Sequence, residues 1–580
     1  MAASEKSLVT VEKHGEVALL LIDNPPVNAL SDALRRVLMQ ALDEVQANMA
    51  FRAAVIACAG RTFIVGADIT QFSKRREIPT YLIAARISGM PIPFVAALHG
   101  TTLGGGCEVA LGCHARVMAR DGFVGLPEVR IGLVPSGGGT QRLTRLVGPL
   151  VALDLISSGR QIQAEEALQL GLVDVVTDDV RAAAIQHARE LAATGKQRRI
   201  TDRSFDAAEV AEFKVRALQA KTRAGGALAM RRGIEAIEFA LEHTLEDGVA
   251  LEQRLSVELH AGTQSHAMRY LFHAERLAAS NELQDRPKSI RHVTVVGKDG
   301  VAQLWVDAIR KAGLTAQWTQ APAVAAGMPE TDLVILTRDA VDSLDALLRQ
   351  SEKSPIVALA LPFGVAAPSH HAVKFAPVVL RYAEPFAQHR LLQIVPGTGA
   401  SAGLLASLLR FGRSIGRAAI FNATGAEIIT NRIVAAGRQV LGSARRRGAS
   451  DSEIAALERY CGLAQAQSVS SDVGAMPVSG NAAGHVLAVM VNEGARILSE
   501  QRATHAALID LMLVHACGYP AWRGGPMYEA DALGAARILA DLAEASAEHG
   551  VKDWSTDPLL SRLAEQGGHF RDVRNEATAA

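Results

Sequence analysis

Short apolar runs alternating with helically spaced segments occur twice in this chain, on either side of a long stretch that is helical almost throughout, and few folds accommodate that pattern. Residues 8–22 alternate and then run apolar from Val17 to Ile22, as a hairpin or buried strand does, until Asn24-Pro25-Pro26 stops the run. Residues 31–48 place Leu34, Val37, Leu38, Leu42 and Val45 at helical spacing behind Ser31, a residue type that caps helices. Further short strands are expected at Ala53–Ala59, Pro93–Leu98 and Val117–Ala119, so strand and helix alternate as in a layered α/β structure. Residues 161–177 predict a helix and a returning strand, and from about 184 to 285 the spacing is helical. After Arg286-Pro287-Lys288 the alternation restarts with His292–Val296 and Gly297. Runs at Leu333–Leu336, Ile356–Leu361 and Val378–Leu380 continue it as a second α/β layer. Helical spacing returns beyond about 430, around a Ser/Gly/Pro-rich loop at Ser468–Ala483.

A chain of 580 residues exceeds what one core can organise, so several domains are expected. Sixty basic residues balance sixty acidic ones, which leaves no global field to attract a nucleic acid or an anionic membrane. No uncharged apolar stretch is long enough to span a bilayer, and no leader-like segment opens the chain. The run Arg445, Arg446, Arg447 reads as a solvated helix end rather than a ligand site. The five cysteines show neither a disulfide framework nor metal-binding spacing, and Cys113 with His114 reads as core packing rather than a zinc site. No metal is expected. With a carboxyl end that is not Ser-Lys-Leu, these features lead us to expect a cytoplasmic protein.

Two carboxylates stand out. Glu108 follows Gly104-Gly105-Gly106-Cys107 and runs into Val-Ala-Leu-Gly, and Glu128 sits in Gly125-Leu126-Pro127-Glu128-Val129. An acid in so apolar a setting must be paired, neutralised or functional. Three successive glycines expose backbone N–H groups at what looks like a helix start, where they can hold a developing oxyanion. Two nearby carboxylates can hold one water between them, their pKa values split by repulsion and burial.

With these motifs in place, residues 1–190 resemble the crotonase (enoyl-CoA hydratase/isomerase) superfamily. Phe63–Ile69, Leu103–Glu108, Leu126–Val129 and Gly132–Leu143 match its segments in the family's order. The resemblance implies that the N–H groups of Ala67 and Gly105 polarise a CoA thioester carbonyl, and that Glu108 and Glu128 activate water for attack at C3, with Glu128 supplying the C2 proton. It implies syn hydration of a trans-2-enoyl-CoA without a cofactor. Double-bond isomerisation and hydrolysis of an unusual CoA ester are the alternatives. Asp68 reads as a structural hydrogen-bonder rather than a base.

The order of domains resembles multifunctional β-oxidation enzymes whose second half is a 3-hydroxyacyl-CoA dehydrogenase. It implies a crotonase-like domain over 1–190, a helical linker over 191–288, a Rossmann-like α/β domain over 289–415 and a helical dehydrogenase-like domain over 416–580, the last supported by Asn492-Glu493 and Gly518–Met527. The dehydrogenase residues do not follow. Gly297, Asp299, Gly300 and Ala302 depart from G-x-G-x-x-G, with a carboxylate where the backbone must approach a pyrophosphate. Gln317–Gln320 offers no acid for a ribose. Arg381 stands at the family's histidine base and Gln393 at its glutamate partner, and of the active-site set only Asn431 remains. His370, His371 and His389 lie nearby and read as ordinary surface histidines. NAD binding is therefore not expected, and the second half is expected to serve packing, tunnelling or CoA retention. A working bifunctional hydratase–dehydrogenase and a scaffold with both halves inactive are the competing readings. Family members of this architecture cover by fusion the surfaces that short hydratases bury as trimers, so a monomer is expected ahead of a homo-oligomer.

Overall fold

The protein is described from a computed structural model, which covers residues 8–67, 77–195, 200, 205–280, 287–298, 300–320, 331–343, 356–363, 365, 378–387, 389–397, 400–421, 426–463, 481–549 and 554–574. Asp68, Asp299, His370, His371 and most of the 468–483 loop fall outside these residues. The chain divides into two compact units, Met1–His266 and Ala267–Ala580.

The first unit is built on a six-stranded sheet in the order Val9–His14, Val17–Ile22, Ala53–Cys58, Phe94–Leu98, Ala115–Ala119 and Val175–Thr177. The opening pair is the antiparallel hairpin expected from residues 8–22, and every later pairing is parallel. Parallel strands are buried on both faces, which is why Ala53–Cys58 and Phe94–Leu98 are apolar throughout rather than alternating. The helix Asp32–Ala47 starts where its cap predicts, with Ser31 Oγ accepting from Leu34 N at 3.2 Å. Its buried stripe of Leu34, Leu38, Ala41, Leu42 and Val45 packs into the same core. A smaller sheet, Thr101–Leu103, Phe123–Gly125 and Ile162–Gln163, joins the segments that carry the two glutamates.

The boundary expected at residue 190 is displaced. Helices Ala207–Ala224, Leu228–Ala240 and Leu245–Ala261 belong to the first unit, and Phe213, Ala217, Ala220, Ile234 and Ile237 share one hydrophobic core with the sheet. Their amphipathic faces need a partner, and the first sheet's layer supplies it.

In the second unit a seven-stranded sheet runs Thr315–Thr319, His292–Val296, Leu333–Thr337, Ile356–Pro362, Val378–Tyr382, Leu391–Val395 and Ala418–Phe421. All pairings are parallel except that between Val378–Tyr382 and Leu391–Val395. The last strand lies beyond the boundary expected at 415, because Ala418–Phe421 completes the sheet edge against Leu391–Ile394. Helices from Ala426–Arg446 to Pro558–Gln566 form a second core that also takes in Leu391 and Ile420 of the sheet. Within it Asp510, fully buried, accepts from Met527 N at 2.8 Å and Tyr528 N at 3.0 Å, so the Gly518–Met527 motif is anchored as structure.

If the helices from Ala207 onward are core rather than linker, Phe213→Ala will lower the unfolding free energy of the first unit by about 3–5 kcal/mol in urea denaturation. No measurable change would return them to a linker.

Candidate active site

Helix Gly105–Gly112 begins without a side-chain cap, at a Gly104 whose φ of 53° and ψ of −125° lie in glycine territory. A side chain at 104 would also meet Glu128 Oε1 at 2.9 Å, so the glycine is required by both backbone and neighbour. The turn is fixed by Leu103 N donating to Ile64 O at 3.1 Å and Gly104 N to Gly125 O at 3.0 Å. Opposite it, Leu30 N donates to Gly66 O at 2.9 Å. Ala67 thereby lies against Gly105, whose ideal Cβ position is 3.7 Å from Ala67 N. Among the described residues neither the Ala67 N–H nor the Gly105 N–H has an acceptor. Two undonated amides at a helix start are suited to hold a developing negative oxygen.

Glu108 stands in the first turn of that helix and is 2% exposed. Its Oε1 accepts from Gly137 N at 2.5 Å and from Gly139 N at 3.1 Å. A Cβ on Gly137 would collide with the Glu108 carboxylate, which explains the glycine run Gly137-Gly138-Gly139 as a seat for this side chain. Glu128 opens the short 3-10 turn Glu128–Ile131, tied down by Leu133 N donating to its carbonyl at 3.0 Å. Its Oε2 is shielded from solvent and has no hydrogen-bond partner among the described residues. Burial first, and then the charge of Glu108, push the Glu128 carboxyl up to about 8, against a smaller downward pull from a backbone hydrogen bond. The same surroundings drive the Cys107 thiol far upward, through burial and then Glu128 and Glu108, so it is a protonated packing group rather than a nucleophile.

A third acid, absent from the sequence reading, closes the site from behind. Glu252, on helix Leu245–Ala261, is fully buried, and its Oε1 accepts from Thr140 N at 2.9 Å. The neighbouring Gln253 Nε2 donates to Ser136 O, and Arg142 Nη1 donates to Gly137 O at 3.1 Å. The loop that seats Glu108 is thus gripped on its far side by a helix distant in sequence. Burial and then the charge of Glu108 hold the Glu252 carboxyl well above its ordinary range. The available signal was an acid lying on the apolar stripe Gly248, Leu251, Leu255, Leu259. Cys113 and His114 do pack in the core, His114 Nδ1 accepting from Phe94 N at 3.0 Å.

In the second unit the turn after His292–Val296 is occupied by its own chain. Lys298 N donates to Asp339 Oδ2 at 2.5 Å, and Trp318 Nε1 donates to Gly297 O at 2.8 Å. Helix Gly300–Lys311, with Ala302 buried, follows directly. Arg381 and Gln393 are cross-strand neighbours. The Arg381 guanidinium donates to the carbonyls of Pro362, at 3.2 Å, and Val365. Asn431 lies on helix Ala426–Arg446, lining a cavity of about 620 Å³ with Arg438 and Arg446.

The first unit is thus a crossover α/β unit in which buried Glu108 and half-buried Glu128 accompany the Ala67 and Gly105 amides, which have no acceptor among the described residues. The model of the family Enoyl-CoA hydratase/isomerase matches residues 12–267. A probable enoyl-CoA hydratase of Bacillus subtilis (strain 168) is 44% identical over 185 residues, 30% of this chain and 71% of that protein. The chain belongs to the enoyl-CoA hydratase/isomerase family. The peroxisomal bifunctional enzyme of Homo sapiens is 38% identical over 271 residues, and the match covers 46% of this chain and only 38% of that protein. A solved enoyl-CoA hydratase from Bacillus anthracis is 25% identical, covering 46% of this chain and 96% of its own, with a TM-score of 0.30. The multidomain layout resembles that of the peroxisomal bifunctional enzymes.

These relatives correct the expectation of a cytoplasmic protein, because those of Pongo abelii, Homo sapiens and Danio rerio are all named peroxisomal. A chain of zero formal net charge, in which no described helix is long and apolar enough to cross a membrane, suits either compartment, so composition could not separate them.

Because the Glu128 carboxyl titrates higher folded than unfolded, the folded state binds the extra proton between the ordinary carboxylate range and about 8. The stability of the first unit therefore falls as pH rises through that window. Glu128→Gln is expected to flatten this slope and to be the more stable protein at pH 8, by on the order of a few kcal/mol. Urea denaturation across a pH series measures both slopes, and parallel slopes would place the proton elsewhere.

Proposed function

We propose that the first unit adds water reversibly across the double bond of a trans-2-enoyl-CoA thioester. The observation that carries this reading is a pair of carboxylates, Glu108 buried and Glu128 half-buried with a solvent-shielded Oε2, beside the amides of Ala67 and Gly105, which have no acceptor among the described residues. In this proposal the Ala67 and Gly105 N–H groups receive the thioester oxygen as the α-carbon becomes enolate-like. Glu108, accepting two backbone N–H bonds, acts as the carboxylate that orients water and takes its proton as the oxygen bonds to C3. Glu128, which holds its proton to higher pH, delivers that proton to C2, and transfer between the two acids restores the starting state. Glu252 fixes the loop on which Glu108 rests. Hydration is favoured over isomerisation because both acids are present, as the resemblance implies.

We further propose that the second unit does not transfer hydride. Asp339 takes a backbone N–H of the turn that a dinucleotide phosphate would need, and Trp318 stands where a ribose-binding acid is expected. Arg381 is engaged with carbonyls, and a guanidinium offers donors but no acceptor for a hydroxyl proton. The name of the peroxisomal relatives, bifunctional enzyme, supports the second reading, an active dehydrogenase.

Glu128→Gln should lower enoyl-CoA turnover by roughly 100- to 10,000-fold with an unchanged circular dichroism spectrum. Full activity would remove Glu128 from the mechanism, and a product with a shifted double bond or a free acid would replace hydration. For the second unit, calorimetry with NADH should register no binding, and NAD should not be reduced with a 3-hydroxyacyl-CoA. Tight binding with reduction would overturn the proposal of inactivity.

A further inference from the structure

Away from both sites, three helices of the second unit bring a histidine pair together with glutamates. His485 lies on Ala482–Ser499, Glu544, Glu548 and His549 lie on Ala535–His549, and Ser443 lies on Ala426–Arg446. His485 Nδ1 is 3.3 Å from His549 Nε2 and 3.6 Å from Glu548 Oε2, and one ligand atom from each residue falls within 4.8 Å of the others.

These separations are long for hydrogen bonds, whose N–H donors sit about 2.9–3.0 Å from their acceptors. They are close to what a shared cation imposes: two nitrogens at about 2.0–2.1 Å from a tetrahedral zinc lie roughly 3.3–3.4 Å apart. His485 is only 2% exposed, so its ring is held among these groups away from bulk solvent.

The outward atoms are already oriented. His549 Nδ1 is 3.1 Å from Ser443 Oγ, and Glu548 Oε1 is 2.9 Å from an Arg447 nitrogen. Glu544 Oε2 stands 3.5 Å beyond His485 Nε2. Such partners fix ring tautomer and rotation so that the opposite nitrogen presents its lone pair inward. Glu544 and Glu548 offset an added cation, while Arg447 limits the excess of negative charge. Nearby, Trp554 packs against His549 with ring centroids 6.2 Å apart and donates to Gln439 Oε1 at 2.9 Å, walling off one side.

We propose that His485, His549 and Glu548 bind a divalent transition-metal ion of the zinc type, with water at the fourth position. Two imidazoles and one carboxylate suit zinc by ligand type and number. The ion would tie the start of Ala482–Ser499 to the end of Ala535–His549 and so stabilise the helical part of the second unit. This site is independent of the chemistry proposed for the first unit.

The full chain, free of any purification tag and stripped with EDTA, is to be titrated with zinc chloride against a chromogenic chelator. His549→Gln and the double variant His549→Gln/Glu548→Gln run beside it, since neither residue is deeply buried and circular dichroism verifies their fold. The wild type should take up about one zinc at this site and unfold at a higher temperature with it. With cobalt it should show the visible absorption of a tetrahedral nitrogen–oxygen site. His549→Gln should weaken uptake by about tenfold or more, and the double variant should lose the thermal shift. No saturable uptake by the wild type, or equal uptake by the double variant, would overturn the proposal.

Discussion

Two carboxylates, Glu108 buried and Glu128 half-buried with one shielded oxygen, lie close together in the first unit, and the charge of Glu108 makes ionisation of Glu128 harder than burial alone would. Much of the local architecture answers that repulsion. Glu108 is offered two backbone N–H donors by Gly137 and Gly139, while Glu128 keeps a shielded oxygen with no hydrogen-bond partner among the described residues. Chemically similar acids are thus placed in unlike settings, which is how one site can supply both a base and an acid.

The seat of Glu108 explains why the first unit continues well past its sheet. A glycine loop accepts a carboxylate closely only if its backbone is held in one conformation, and here the hold comes from Glu252, Gln253 and Arg142. Helix Leu245–Ala261 therefore belongs to the site as well as to the fold. In the second unit the corresponding turn faces the chain's own Asp339 and Trp318, so its polar groups are satisfied internally.

What the sequence disclosed followed local physics. The hairpin, the Ser31 cap and the parallel strands follow from periodicity and capping chemistry, and Glu108 and Glu128 follow from acids in apolar settings. The strand Leu391–Val395 was obscured by the buried polar Gln393 at its centre, and Ala418–Phe421 is only four residues long. Glu252 meets Thr140 across 112 positions, and Lys298 meets Asp339 across 41, contacts that no local pattern encodes. The domain boundary at 190 slipped for the same reason, because a helix packed on a distant core reads like a helix in a linker.

Burial and then the charge of Glu108 keep the proton on Glu128, and the proposed hydration depends on that proton. Infrared difference titration of glutamate carboxyls, with Glu128→Gln used to assign the band, reads that proton directly. The Glu128 carboxyl is expected to titrate near 8 in the wild type and to move back toward the ordinary carboxylate range, without fully reaching it, in Glu108→Gln. Titration of Glu128 in the ordinary range in the wild type, or no response to Glu108→Gln, would contradict this expectation.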